Sequence, residues 1–208
     1  MSILYYERPF NTRYVVWEAS GRQAPELLRT HRTARASWLY ITRQHGIDAV
    51  GPLPDWSRRD DLIATGRCGP QRAADPSLDE VALWTQADEH ARTFRPDEPV
   101  CAHAVGSLPQ GGDADSWRNL IEGFCEDHLS AQGMITDWAI HHRPGSDAAR
   151  EILPHAHLLI TTRVYDRGLA DIGRLRQTWL RTDKARKRMA ERWWAHSGLY
   201  PRPYLMAA

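Results

Sequence analysis

The stretch HAHLLITTR, residues 155–163, decides the fold. Its apolar and β-branched residues read as a strand, and a strand turns successive side chains to opposite faces. His155, His157, Leu159 and Thr161 therefore share one face, and Ala156, Leu158, Ile160 and Thr162 the other. A second strand-like run, MITDWAIHH, residues 134–142, precedes it across a Gly-, Pro- and Asp-containing connection, which makes the two antiparallel neighbours. In that run Asp137, Ala139 and His141 lie on one face and Trp138, Ile140 and His142 on the other. If Trp138 and Ile140 join Ala156, Leu158 and Ile160 in a core, His141 falls beside His155 and His157. Single histidines occur in strands for many reasons. Three neutral imidazoles converging on one sheet surface are instead a site for a divalent transition metal, with open positions for water or a phosphate oxygen.

Outward from this pair, the pattern alternates strands with helices. Residues 1–20 carry β-formers (Ile3, Tyr5, Tyr14, Val15, Val16, Trp17) and predict one or two strands. From Pro25 to about His45 the chain reads as a helix with Leu27, Ala34, Trp38 and Ile41 on one side and Gly46 as its stop. Residues 46–76, rich in Gly, Pro, Asp and Arg, read as a long surface connection. LDEVALWTQADEHAR, residues 78–92, has a helical period, Val100–Leu108 is β-like, and a further helix spans Asp115 to Ala131. A long basic helix runs from about Ala170 to His196, with Leu175, Trp179 and Leu180 among its apolar positions and Gly198 and Pro201 closing it. The expected class is α+β, an antiparallel β-sheet flanked by helices, in a single domain over residues 1–208 whose part 170–208 is a basic helical C-terminal extension.

A chain of 208 residues buries a core without disulfides or structural zinc. Cys68, Cys101 and Cys125 are odd in number and lack CxxC spacing, which argues against a disulfide framework or a thiolate metal site. No stretch approaches the roughly 20 apolar residues that span a bilayer, so the expectation is a soluble, cytoplasmic protein. The net charge of +1 hides an uneven distribution: residues 163–202 hold eleven Arg and Lys against four Asp and Glu. That end could face a polyanion. Arginine supplies 25 of the 27 basic residues, a bias that a GC-rich genome also produces, so only the local clustering counts.

These residues resemble the MobA/MobL-type mobilisation relaxases of the HUH (His-hydrophobe-His) endonuclease superfamily. The family pattern GM-x-x-D-x-AIH is met by Gly133-Met134, Asp137 and Ala139-Ile140-His141. Its PHAH-hydrophobic-x-x-TTR is met by Pro154-His155-Ala156-His157-Leu158-Leu159 and Thr161-Thr162-Arg163. Leu83-Trp84 and Glu89 are similar to the family's LW-x-x-x-E helix, and Ser107-Leu108-Pro109 to the ALP that ends a sheet strand. The resemblance covers residues 78–163 well and the ends poorly.

The resemblance implies a palm-like antiparallel sheet holding a divalent ion on His141, His155 and His157. Mn²⁺ or Mg²⁺ comes first, and Zn, Co or Ni are alternatives. It further implies a tyrosine that attacks one phosphodiester of single-stranded DNA at a plasmid or mobile-element transfer origin. The tyrosine would be joined to the 5′ phosphate and the 3′ hydroxyl kept for rejoining, with other relaxosome or coupling proteins as possible partners. A phenol of ordinary pKa near 10 needs a metal or a base to help it. The family's A-x-x-A-A-Y-R-like helix has its nearest counterpart in Ala34 to Arg43, making Tyr40 the candidate nucleophile. Tyr40 lies about 200° around the helix from Trp38, which leaves open whether it faces the sheet; Tyr5 and Tyr6 are reserves.

The family's acidic residue before ALP orients a histidine ligand, but that position here holds His103. Either His103 acts as an extra ligand or Asp137 takes the orienting role. Arg163, Arg174, Arg181, Lys184 and Arg188 are candidate DNA contacts, and Trp193, Trp194 and Tyr200 could stack on bases or pack on the sheet. Two other functions stay open: a DNA-binding accessory protein of the same descent without catalysis, and a metal phosphodiesterase that uses water.

Overall fold

A computed structural model describes residues 9–17, 32–53, 60–70, 80–94, 99–145, 151–165 and 182–201. In chain order the described elements are β1 (Phe10–Val16), α1 (Ala34–Ile41), a small hairpin of β2 (Ile47–Asp48) and β3 (Gly51–Pro52), β4 (Leu62–Cys68), α2 (Glu80–Phe94), β5 (Pro99–Ser107), α3 (Ala114–His128), a single 3₁₀ turn (Ser130–Gln132), β6 (Thr136–Arg143), β7 (Ile152–Thr161) and α4 (Asp183–Ser197).

β7 is the most apolar strand and takes the middle of a five-stranded sheet of order β1-β5-β7-β6-β4, in which every neighbouring pair is antiparallel. With a strand on each side, its backbone donors and acceptors are met by β5 and β6, which is what lets Ala156, Leu158, Leu159 and Ile160 be fully buried. Helices cover both faces. On one, Trp138, Ile140, Ala156, Leu158 and Ile160 pack with Trp117, Ile121 and Phe124 of α3 and Met189 and Trp193 of α4. On the other, Ala139 and Leu159 pack with Trp38, Leu39 and Ile41 of α1 and Leu83 and Trp84 of α2. The histidine-bearing face lies under α1 and α2.

Local chemistry sets the element ends. Thr33 caps α1 by accepting from Ala36 N, and Asp113 with Ser116 forms a capping box at α3. Gly133, at φ +86°, ends the 3₁₀ turn in the left-handed region and releases the chain into β6.

Four expectations are corrected. The first helix, expected from Pro25 to about His45, runs over Ala34–Ile41, behind the extended Thr33 cap and ending before Arg43 at φ +54°. Residues 46–76 are not only surface connection: they contain the β2–β3 hairpin and β4, an edge strand of the main sheet paired to β6. The composition that suggested a loop has a packing cause, because a Cβ at Gly66 would lie 2.3 Å from the Trp138 ring. The long basic helix is not continuous from 170 to 196: Thr182 is extended and caps a new start, its hydroxyl accepting from Ala185 N. Leu175, Trp179 and Leu180 lie outside the described residues, as does the Pro25–His31 part of the first expected helix. In the LW helix the buried acid is Asp88, while Glu89 is exposed. The three cysteines are free and buried. Among the described residues no helix is long and apolar enough to cross a membrane.

Candidate metal centre

Register brings the histidines together. His141 of β6 pairs directly with His155 of β7, and Ala139 with His157, so the alternation of both strands puts three imidazoles on the face beneath α1. Ring centroids are 5.5 Å apart for His141–His155, 4.6 Å for His141–His157 and 5.0 Å for His155–His157. One nitrogen of each ring lies within 4.8 Å of the others.

Hydrogen bonds assign the ring protons. Carbonyl oxygens only accept, so His155 Nδ1 donates to Leu153 O at 2.8 Å and keeps its lone pair on Nε2. His141 Nε2 donates to Ile41 O at 2.7 Å, which leaves its lone pair on Nδ1. That pair meets Nη2 of Arg43 at 3.0 Å. His157 Nδ1 lies 2.8 Å from Nε2 of His103, whose ring stacks on it at 5.0 Å; donation from His157 leaves the lone pair on His157 Nε2. His103 thus backs one candidate ligand, on the side where the family pattern has an acid.

Burial makes all three imidazoles hard to protonate. It pushes His141 down to about 4, with the Arg43 charge adding to the effect, and lowers His155. His157 is held well below the ordinary range by burial and then by His103 and the other two rings. Neutral rings are what a metal requires. Geometry, neutrality and an imidazole donor set fit a divalent transition ion better than Mg²⁺, which prefers oxygen.

Two residues that the sequence analysis did not single out complete the cluster. Asp61, just before β4, receives Arg43 through Nε at 3.1 Å and Nη2 at 2.7 Å, and its Oδ2 lies 3.8 Å from His141 Nδ1. Burial works against both charges, but their mutual hydrogen bonds and attraction win: the Arg43 pKa is raised and that of Asp61 lowered. Arg43 also donates to Tyr40 O at 2.9 Å and its guanidinium lies 4.9 Å from the Tyr40 ring centre. In sequence, Arg43 stood only as the end of the stretch likened to the family's A-x-x-A-A-Y-R helix, and Asp61 in an Asp60-Asp61 pair inside a stretch read as loop.

Tyr40 is brought to the cluster. Its ring stands edge-on to His157, centroids 5.8 Å apart at 86°. The helix that carries it is clamped at its start, where Asp88 accepts from Ala34 N at 2.8 Å and Arg35 N at 2.9 Å. Tyr5 and Tyr6 lie outside the described residues.

Asp137 is placed otherwise than expected. It does not orient a ligand: Arg67 of β4, its cross-strand partner, meets its carboxylate at 2.5 and 2.9 Å, and Trp84 Nε1 donates to it at 2.7 Å. It ties α2 to the sheet. Arg163 is half-buried beyond the end of β7, where it lines a cleft with His90, Pro99 and Tyr165 rather than the histidine cluster. Lys184 and Arg188 are exposed on α4, across the sheet from the histidines, while Trp193 packs into the core, and Arg174 and Arg181 lie outside the described residues.

The model of the MobA/MobL family matches residues 34–197. The chain belongs to the MobA/MobL family. It is 27% identical over 164 residues to the probable mobilization protein MobA of Bifidobacterium longum (strain NCC 2705), covering 78% of this chain and 26% of that protein. It is 30% identical over 82 residues to the conjugal transfer protein TraA of Rhizobium radiobacter, covering 39% of this chain and 7% of that protein. The chain therefore spans about a quarter or less of the length of these relatives. A solved structure from work on the molecular basis of vancomycin resistance transfer in Staphylococcus aureus matches with a TM-score of 0.67 and 23% identity, over 90% of this chain and 89% of that one. That likeness establishes the shared α+β fold for this MobA/MobL chain.

Proposed function

We propose that this MobA/MobL chain is a mobilisation relaxase, a metal-dependent enzyme that nicks and rejoins one DNA strand at a transfer origin. The observation that carries the reading is Tyr40 standing edge-on to His157 at the rim of a three-imidazole cluster. The relatives named for mobilization and conjugal transfer support it.

In the proposed reaction the Tyr40 phenol gives up its proton and its oxygen attacks phosphorus, forming a new O–P bond to the phosphate that stays on the 5′ end of the downstream strand. The P–O3′ bond breaks, the leaving oxygen takes up a proton, and the 3′ hydroxyl reverses the step to rejoin the strand. A divalent ion, when bound to His141, His155 and His157, supplies Lewis-acid polarisation of the phosphate. The chain's own contribution is preorganisation. Carbonyls of Ile41 and Leu153 hold two ring planes, Asp88 and Thr33 hold the helix carrying Tyr40, and buried apolar side chains exclude water. Lys184 and Arg188, exposed on α4 across the sheet, are candidate contacts for phosphates far from the reacting bond.

The test is to incubate purified protein with Mn²⁺ and a single-stranded transfer-origin oligonucleotide and resolve covalent adducts on a denaturing gel. The expected result is an adduct that Tyr40→Phe reduces at least 100-fold. An adduct that survives Tyr40→Phe moves the nucleophile to another tyrosine, Tyr5 or Tyr6 first, and cutting that survives replacement of all three assigns the reaction to water. Binding without cutting under Mn²⁺, Mg²⁺ or Co²⁺ makes the chain a DNA-binding protein only.

A further inference from the structure

The third candidate ligand has no lone pair to spare as the chain stands. His141 Nε2 is committed to a carbonyl at 2.7 Å, and a carbonyl cannot donate. The remaining pair, on Nδ1, lies 3.0 Å from Nη2 of Arg43, and a guanidinium cannot accept. A divalent cation reaching His141 Nδ1 has to displace that contact, and it also meets the repulsion of a positive charge a few ångströms away.

Arg43 is not there by loose rotamer choice. Its backbone sits at φ +54°, a left-handed conformation costly for a residue with a Cβ. It is the first residue past the Thr42 cap of α1. Asp61 grips the guanidinium through two nitrogens, and Tyr40 O takes a third donor. The same Asp61 lies 3.8 Å from His141 Nδ1, so movement of the guanidinium leaves a carboxylate beside the vacated position.

We propose that Arg43 is a built-in competitor of the metal: its guanidinium and a divalent cation exclude each other at His141 Nδ1, and metal loading requires Arg43 to swing off that nitrogen. Because the guanidinium also lies against the Tyr40 ring, the swing uncovers that ring, tying the loaded state to an accessible Tyr40. The inference rests on the three-histidine centre of the proposed function, not on DNA cleavage.

The experiment is calorimetric titration of Mn²⁺ alone into the wild-type chain and into Arg43→Ala, Arg43→Met, Asp61→Asn, Arg43→Ala/Asp61→Asn and Arg43→Ala/His141→Ala, each checked for folding by circular dichroism. Arg43→Met keeps the length of the side chain should Arg43→Ala fail to fold. The expected result is at least tenfold tighter Mn²⁺ binding when Arg43 is removed. The gain should persist relative to Asp61→Asn in the Arg43→Ala/Asp61→Asn double variant, which excludes an effect of the bared carboxylate. It should vanish when His141 is also absent. Equal or weaker binding in folded Arg43 variants, with wild type binding Mn²⁺, overturns this inference and leaves the metal centre standing. No binding in any variant overturns both.

Discussion

At the scale of single residues, the three imidazoles couple stability to pH. An unfolded histidine takes up a proton near its ordinary value of 6.5, whereas His141 in the fold resists until about 4. Stability from this shift is full above 6.5 and is lost as pH falls through 4, amounting to on the order of 3 kcal/mol for His141 alone. His155 and His157 are lowered in the same sense. Burial pushes Asp88 up to about 7, which favours the fold as pH falls, so the test is a difference between chains: in urea unfolding at pH 7, 5.5 and 4.5 the metal-free wild type should lose stability relative to His141→Gln, and a difference that does not change with pH contradicts the assignment. The facing of these histidines was legible from a period of two in HAHLLITTR and MITDWAIHH. Arg43 and Asp61 were not, because Asp61 reaches His141 only when β4 pairs with β6 and Arg43 only when α1 docks on the sheet, across 98 residues of chain, and no local pattern encodes either.

At the scale of elements, the helix that carries Tyr40 has its first turn tied to α2 by the buried Asp88 side chain. Removing Asp88 leaves the Ala34 and Arg35 amides without their partner at the covered start of α1. Asp88→Ala should cost about 2 kcal/mol or more by urea unfolding and weaken any Tyr40-dependent reaction, whereas unchanged stability would mean α1 is placed by its apolar face alone. The sequence showed the helix of residues 80–94 clearly through its period, but LW-x-x-x-E was read onto Glu89 when both the spacing from Trp84 and the burial put the acid at Asp88. β4 was missed because glycine and arginine look like loop residues, yet Gly66 exists to admit the Trp138 ring and Arg67 to pair with Asp137. α4 contributes Trp193, stacked on Phe10 and fully buried, its indole donating to Ser107 O at 3.2 Å. Trp193→Ala should cost about 3–5 kcal/mol by the same measurement, and a loss below about 1 kcal/mol would show that this helix is dispensable to the core.

At the scale of the whole molecule, the histidine cluster and the exposed cations Lys184 and Arg188 lie on opposite sides of one sheet. The histidines and Tyr40 sit under α1 and α2, while Lys184 and Arg188 are exposed on α4. If those two residues meet phosphates, replacing both with Glu should weaken binding of a single-stranded oligonucleotide and reduce the salt slope by about one to two. Fluorescence anisotropy across a salt series reads this, and an unchanged slope places the DNA elsewhere. The sheet, its antiparallel class and its histidine face were readable because β6 and β7 lie next to each other in the chain. Of its two edge strands, β1 was read as a strand within residues 1–20 without its place in the sheet, and β4, in a stretch read as loop, required the folded chain.

The claim beneath all of this is that His141, His155 and His157 hold one divalent ion beside Tyr40. Anomalous diffraction from Mn²⁺-soaked crystals tests it most directly. The account predicts one strong peak bonded to a nitrogen of each of the three rings, with the Arg43 guanidinium moved off His141. No peak between those rings, or Mn²⁺ bound at other residues while Arg43 stays on His141, would contradict it.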